Sequence, residues 1–191
     1  MELRVLAATE SLLEDGIPYA ELSVERIAAR ADISRTAFYD YFRDKRELLK
    51  RLMERMNEPL YEQAGQLASE LGGGREALPG ALRFFFEFSR DHHALYAAAF
   101  EASMYDEEIH DFSHQQVNSI IEIVRGVIES QQESGEALPL PARAAAHVLV
   151  WTTWHACYEW LSHERQFDEE ELLEALERIW ERTIWGGAAA S

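Results

Sequence analysis

The stretch SRTAFYDYF, Ser34 to Phe42, places two hydroxyls and a guanidinium ahead of a cluster of aromatic rings. Such groups can hold phosphates and base edges; rings can fill a core or be shown to a partner. The histidines raise a different question, because they could carry protons or a metal. His92 and His93 are adjacent, beside Asp91, and His155 and Cys157 are two residues apart. On a helix such neighbours point in different directions. Only His110 and His114 have i, i+4 spacing, with Asp106, Glu107 and Asp111 nearby. A solvated helix start is the plainer reading of that pair, so no metal and no cofactor are expected. The chain has neither a Gly-rich phosphate loop nor a Gly-x-Ser-x-Gly elbow. No catalytic residues are therefore expected, and the chain does not read as an enzyme.

The elements that must position Ser34–Phe42 come from a chain of 191 residues, 47% of them hydrophobic. That suffices for one core, or for a small domain joined to a larger one. No apolar run is long enough to span a bilayer. The N-terminus carries acids where a secretory leader would carry bases. One cysteine, Cys157, fits a reducing compartment. These features predict a cytoplasmic protein. Net charge is −17, yet it is unevenly placed. Residues 1–55 are close to neutral, and Arg26 to Arg55 carries a net of +4. Both lysines, Lys45 and Lys50, fall in that window. A local patch, not the global charge, governs phosphate contact.

Strand signals are missing, and helical spacing recurs throughout. Leu3, Leu6 and Leu13 mark a first helix that Gly16 stops. Ser23 stands at an N-cap, followed by an apolar face of Val24, Ile27, Ala28 and Ala31. A tight turn at Asp32-Ile33 leads to Ser34, which caps a helix ending near Phe42. Asp44 caps a long fourth helix. LGGGREALPG, Leu71 to Gly80, is the clearest break, and SGEALPLP, Ser134 to Pro141, is the second. Helices are expected near 80–91, 93–104, 106–134, 142–163 and 168–185, with a frayed GGAAAS tail. About nine helices result.

Two short helices joined by a tight turn and braced by a third describe a helix-turn-helix. The second short helix is the one that enters a major groove. In that slot Phe38 and Phe42 face the core, while Arg35, Thr36 and Tyr39 face outward. Arg35 suits a guanine edge or a phosphate, Thr36 a thymine methyl or phosphate, and Tyr39 a phosphate oxygen. Lys45 adds a cation at the next helix start.

The stretch LSVERIAARADISRTAFYDYFRDKRELL, Leu22 to Leu49, resembles the DNA-binding domain of the TetR family of transcriptional regulators. The resemblance implies DNA contacts at Ser23, Ser34, Arg35, Thr36, Tyr39, Tyr41 and Lys45, mostly to phosphates. Two departures stand out. The family usually has glycine at Asp32, and many members carry a basic arm ahead of the first helix, whereas here Leu3 already belongs to that helix and no contacts from an arm are expected.

The body is similar to the branch of that family that includes the ethionamide-resistance repressor. FFEFSRDHHAL, Phe85 to Leu95, and ERIWERTIWG, Glu177 to Gly186, carry the likeness. It implies an apolar ligand site lined by Phe85, Ser89, Val117, Ile120, Val124, Leu149, Thr152 and Trp180. The relative has amides at Leu149 and Thr152, which leaves Thr152 as the expected polar anchor on that helix. The last two helices are the family's dimer interface, with Tyr158, Leu161, Leu172, Leu176, Ile179 and Ile184 as candidate seam positions.

The expected architecture is all-α, with a helix-turn-helix DNA-binding domain over 1–45 and a helical ligand-binding and dimerisation domain over 46–191. The function expected from the resemblance is a ligand-responsive repressor. It would bind palindromic double-stranded operator DNA as a homodimer and leave it when a small apolar effector binds. No membrane is involved. The alternative is an all-α carrier or sensor of apolar ligands that uses its head for protein contacts.

Overall fold

A computed structural model describes residues 1–70, 74–162 and 168–186. Within them lie nine α-helices and no strand. The helices are α1 (Glu2–Glu14), α2 (Val24–Arg30), α3 (Arg35–Tyr39), α4 (Lys45–Glu70), α5 (Leu78–Asp91), α6 (His93–Ser103), α7 (Glu107–Glu133), α8 (Ala142–Ser162) and α9 (Glu169–Ile184). Single 3₁₀ turns occupy Tyr19–Glu21 and Arg75–Ala77. The expected all-α architecture is the one found. Residues 71–73 of the expected loop and 187–191 of the expected frayed tail lie outside the described residues.

The ends of the helices follow local chemistry. Gly16 leaves α1 with φ of +80°, a conformation open to a residue without a side chain. Ser23 caps α2 by accepting from the Arg26 N–H at 3.2 Å, and Ser34 caps α3 from the Ala37 N–H at 3.0 Å. Asp44 accepts from the Glu47 N–H at 2.8 Å, and Glu47 reaches back to the Arg43 N–H at 2.8 Å. Asp168 and Glu171 form a reciprocal capping box on α9. α5 begins at Leu78, two residues before the expected start, because Pro79 is tolerated in a first turn where no N–H partner exists. α3 is shorter than its pattern suggested, ending at Tyr39.

Packing divides the chain into two compact units, Met1–Glu58 with His92–Gln115, and Pro59–Asp91 with Gln116–Ser191. This grouping differs from a division after residue 45. In the first unit α1 packs on both α2 and α6, and α2 on α3. Phe38 and Phe42 are wholly inside it, together with Ile27, Leu48, Leu49 and Leu52. The sequence reading of those two rings as core is therefore right. In the second unit α5, α8 and α9 pack together around Phe86, Leu149, Cys157, Trp160, Leu173, Leu176 and Trp180. Pro59 lies inside α4 at the boundary between units, where it removes one helical N–H donor.

The turn between α2 and α3 is built on Asp32, the one non-glycine residue with positive φ among those described, at +52°. Aspartate enters this region more readily than most side chains but still at a cost. Arg4 of α1 braces the turn. Its Nη2 donates to the Ala31 carbonyl at 2.7 Å and lies 3.2 Å from Asp32 Oδ2. The brace is exposed, so it orients the turn more than it stabilises it. Asp32→Gly is therefore expected to stabilise the protein by about 0.5–1 kcal/mol. Urea unfolding would measure this, and a loss of stability would show that the aspartate side chain outweighs its backbone strain.

Candidate nucleic-acid interface and apolar site

Six of the seven residues expected to meet DNA lie at the surface of the first unit. Ser23, Ser34, Arg35, Thr36, Tyr39 and Tyr41 are all exposed. Tyr39 and Tyr41, each 45% accessible, are among the most exposed large aromatics of the unit. The serines do double duty, because each Oγ already accepts a capping hydrogen bond while its backbone N–H stands at a helix start. Arg35 lies with its guanidinium carbon 5.8 Å from the centre of the Tyr39 ring. Its Nη1 is 2.6 Å from Glu25 Oε1 of α2. The sequence reading overlooked Glu25, since ten residues and a turn separate the partners.

Lys45 differs from the others. It is half-buried, and its Nζ donates to the carbonyls of Tyr19, Ala20 and Leu22 at 3.0, 3.4 and 3.3 Å. The same Nζ lies 4.5 Å from the centre of the Tyr19 ring. Tyr19 Oη in turn donates to the Lys45 carbonyl at 3.0 Å. Burial is the larger influence on Lys45 and pushes its pKa down, against a smaller opposing pull from Glu101. Glu101 of α6 completes the set, accepting from the N–H groups of Tyr19 and Ala20 at 3.0 Å each. Lys45 thus fixes the segment that delivers Ser23.

The basic window is less free than its charge suggests. Arg46 pairs with Asp106 at 2.6 Å and Glu108 at 2.9 Å, and Lys50 and Arg43 also meet Glu108. Arg30 pairs with Asp15. Those acids at the start of α7 lie far along the chain. Counted as a unit, Met1–Glu58 with His92–Gln115 holds ten Lys and Arg against seventeen Asp and Glu.

In the second unit, Phe85, Val117, Ile120, Val124, Leu149 and Trp180 belong to one apolar core cluster. Ser89 is 3% accessible and close by in the same unit, and its Oγ makes no hydrogen bond of ordinary geometry. The nearby Cys157 thiol is too weak a partner to satisfy it. Burial pushes that thiol up to about 12, outweighing the opposing influence of Ser89.

Two groups of expected residues lie elsewhere. Thr152 is exposed, so it is not the inward polar group of α8. That place is taken by Thr153, 5% accessible, whose Oγ1 accepts from Trp180 Nε1 at 2.9 Å. Its helical spacing from Leu149 and Cys157 carried the signal. Leu176 and Ile184, offered as seam positions, are 2% and 1% accessible within their own chain. They share the inward stripe of α9 with Leu173 and Trp180, so their apolar surface is already used. Ile179 is exposed, while Tyr158, Leu161 and Leu172 are partly buried.

Comparison with known proteins bears on both units. Residues 5–52 match the model of bacterial regulatory proteins, tetR family, and residues 79–186 match the C-terminal domain of the transcriptional regulator EthR. The chain belongs to the TetR family. It is 30% identical over 189 residues to the HTH-type transcriptional regulator EthR of Mycobacterium tuberculosis, covering 97% of this chain and 87% of that protein. The EthR of Mycolicibacterium smegmatis is 28% identical over 192 residues, covering 97% and 86%. Among solved structures, FadR of Bacillus subtilis in complex with stearoyl-CoA superposes with a TM-score of 0.75 at 18% identity, covering 98% of this chain and all of that one. SmeT, the repressor of the Stenotrophomonas maltophilia multidrug efflux pump SmeDEF, gives 0.78 at 16%, covering 96% and 90%. The TetR-family chain is a transcriptional regulator and not an enzyme. Among the described residues no group of three or more His, Cys, Asp or Glu could hold a metal ion, and no helix is long and apolar enough to cross a membrane.

Two outcomes are expected of these sites. Lys45→Ala should lower stability by about 1–2 kcal/mol, because three carbonyls lose their donor. A thermal melt unchanged from wild type would leave phosphate as the only role for Lys45. Cys157 should resist iodoacetamide at pH 8, where a thiol with pKa near 12 is almost wholly protonated, and should react once urea unfolds the chain. Native labelling as fast as that of a free thiol would contradict its burial.

Proposed function

We propose that this TetR-family regulator is a repressor that binds palindromic operator DNA as a homodimer in the cytoplasm and leaves it when a small apolar ligand enters the second unit. The observation that supports the ligand reading is the buried hydroxyl of Ser89, which finds only the weak Cys157 thiol as a partner. An unsatisfied buried hydroxyl costs about 1–3 kcal/mol. Sites for small molecules combine apolar walls with a few such polar groups. The ligand this favours is mostly hydrocarbon or aromatic, with one hydrogen-bonding group to meet Ser89.

The DNA reading is supported by the exposed Ser34, Arg35, Thr36 and Tyr39 at the start of α3. Dimeric readers of this type present two such helices about 34–36 Å apart, one turn of duplex. The homodimer reading is supported by apolar surface left exposed on the last two helices, Val148 at 61% and Ile179 at 48%. Thr152 joins Val148 on the exposed face of α8, which supports a role beside a partner. Release is a shift of population. A ligand acts only through its different affinities for the DNA-competent and incompetent states.

Selection of duplex from a random pool tests the partner, the symmetry and the half-site spacing together. Recovered sites should be palindromic with half-sites about one turn apart; recovery of no sequence at low salt would end the repressor reading. Thermal melts with a series of medium-chain alcohols and their matching alkanes test the ligand. Wild type should be stabilised more by the alcohols. Ser89→Ala should raise the melting temperature of the free protein and remove the preference for alcohols. A variant that keeps the preference would place the polar contact elsewhere.

A further inference from the structure

Glu25 is the second residue of α2, and Arg35 is the first of α3. Their side chains meet at 2.6 Å, yet they are 56% and 62% accessible. A pair so exposed contributes little to stability. Its importance lies in what it does to Arg35. The guanidinium is confined by the carboxylate on one side and by the Tyr39 ring on another. Glu25 is itself held ionised. A hydrogen bond with its own backbone N–H is the largest influence, and Arg35 and Ser23 add to it, keeping the carboxyl below its usual range. The surface that meets DNA therefore carries a fixed anion beside its leading cation.

We infer that Glu25 is a specificity-determining residue: it holds Arg35 back from phosphates, and together the two side chains read a G·C pair. This rests on the reading of Arg35 as a DNA contact. Guanine offers O6 and N7 to a guanidinium, and cytosine offers its N4 hydrogens to a carboxylate. Guanine O6 and cytosine N4 lie side by side in the major groove, about 2.9 Å apart, a hydrogen-bond distance. A guanidinium and a carboxylate already in contact match that spacing. On an A·T pair the guanidinium loses its paired acceptors. On a bare phosphate Glu25 meets no donor and stands beside a polyanion, which repels it. Rejection of wrong partners through an uncompensated charge is a general route to specificity. Glu25 consequently costs affinity everywhere except at the right base pair.

The test uses the full chain. Affinities are measured at one fixed salt concentration for the selected operator, for operators with each G·C pair changed to A·T, and for random-sequence duplex. The proteins are wild type, Glu25→Gln, Arg35→Ala and Glu14→Gln, the last removing another exposed acid of the same unit. Glu25→Gln is expected to bind random duplex several-fold more tightly and to lose roughly ten-fold discrimination at one G·C pair. Arg35→Ala should lose discrimination at that same pair, and Glu14→Gln should keep it. Discrimination retained by Glu25→Gln, or lost equally by Glu14→Gln, overturns the inference while leaving the Arg35 contact standing. Wild-type affinity and discrimination in Arg35→Ala would instead remove the DNA contact itself, and the inference with it.

Discussion

The hydrogen bonds that converge on the Tyr19–Glu21 turn are the constraint on which the DNA-facing surface depends. Lys45 Nζ neutralises the carbonyl side of this turn, and the Glu101 carboxylate accepts from its N–H side. Tyr19 Oη ties the turn to the first residue of α4. A short 3₁₀ turn has too few internal bonds to hold itself. Here opposite charges from two distant parts of the chain supply what the turn lacks. Ser23 follows directly, so the start of α2 inherits its position from this arrangement. The start of α3 is set by the neighbouring turn at Asp32, which Arg4 braces from α1. Both loops that aim the reading surface are thus held by long side chains reaching from other helices.

That arrangement changes what the charge of the unit means. A chain that met DNA through a broad basic face would bind any duplex, since phosphate contacts carry no sequence information. Here Arg43, Arg46 and Lys50 face Glu108, and Arg46 also faces Asp106. Cations spent in this way brace α7 against α4 within the first unit. Few remain to supply the salt-dependent attraction that dominates non-specific binding. Arg35, at the start of α3, remains exposed. Glu25 belongs to the same economy of charge, because it restrains the cation best placed to read a base.

The helical order was legible because each signal was local. Caps at Ser23, Ser34 and Asp44, the stop at Gly16 and the breaks at Leu71–Gly80 and Ser134–Pro141 needed no tertiary information. Phe38 and Phe42 could be sorted from Arg35, Thr36 and Tyr39 by period alone. Lys45 shows where this ends. Its partners are three carbonyls some twenty residues away, and no pattern in sequence marks a carbonyl as waiting for a donor. The acids of α7 were hidden for the same reason, since a charge window counts neighbours in sequence and not in space. Thr152 is a different kind of miss. The stripe from Leu149 through Thr153 to Cys157 was readable, and a position carried over from a relative displaced it.

α4 and α7 each contribute residues to both units, so the two units share two continuous helices. The two helices differ in their backbone where the units divide. α7 passes from Gln115 to Gln116 without a proline, whereas α4 has Pro59. A helix-interior proline removes one hydrogen bond and weakens the rod at that point. α4 carries Lys45 at its start, so a change in its course would act first on the Tyr19–Glu21 turn. The buried Ser89 hydroxyl belongs to the other unit, on α5, where the weak Cys157 thiol is its partner.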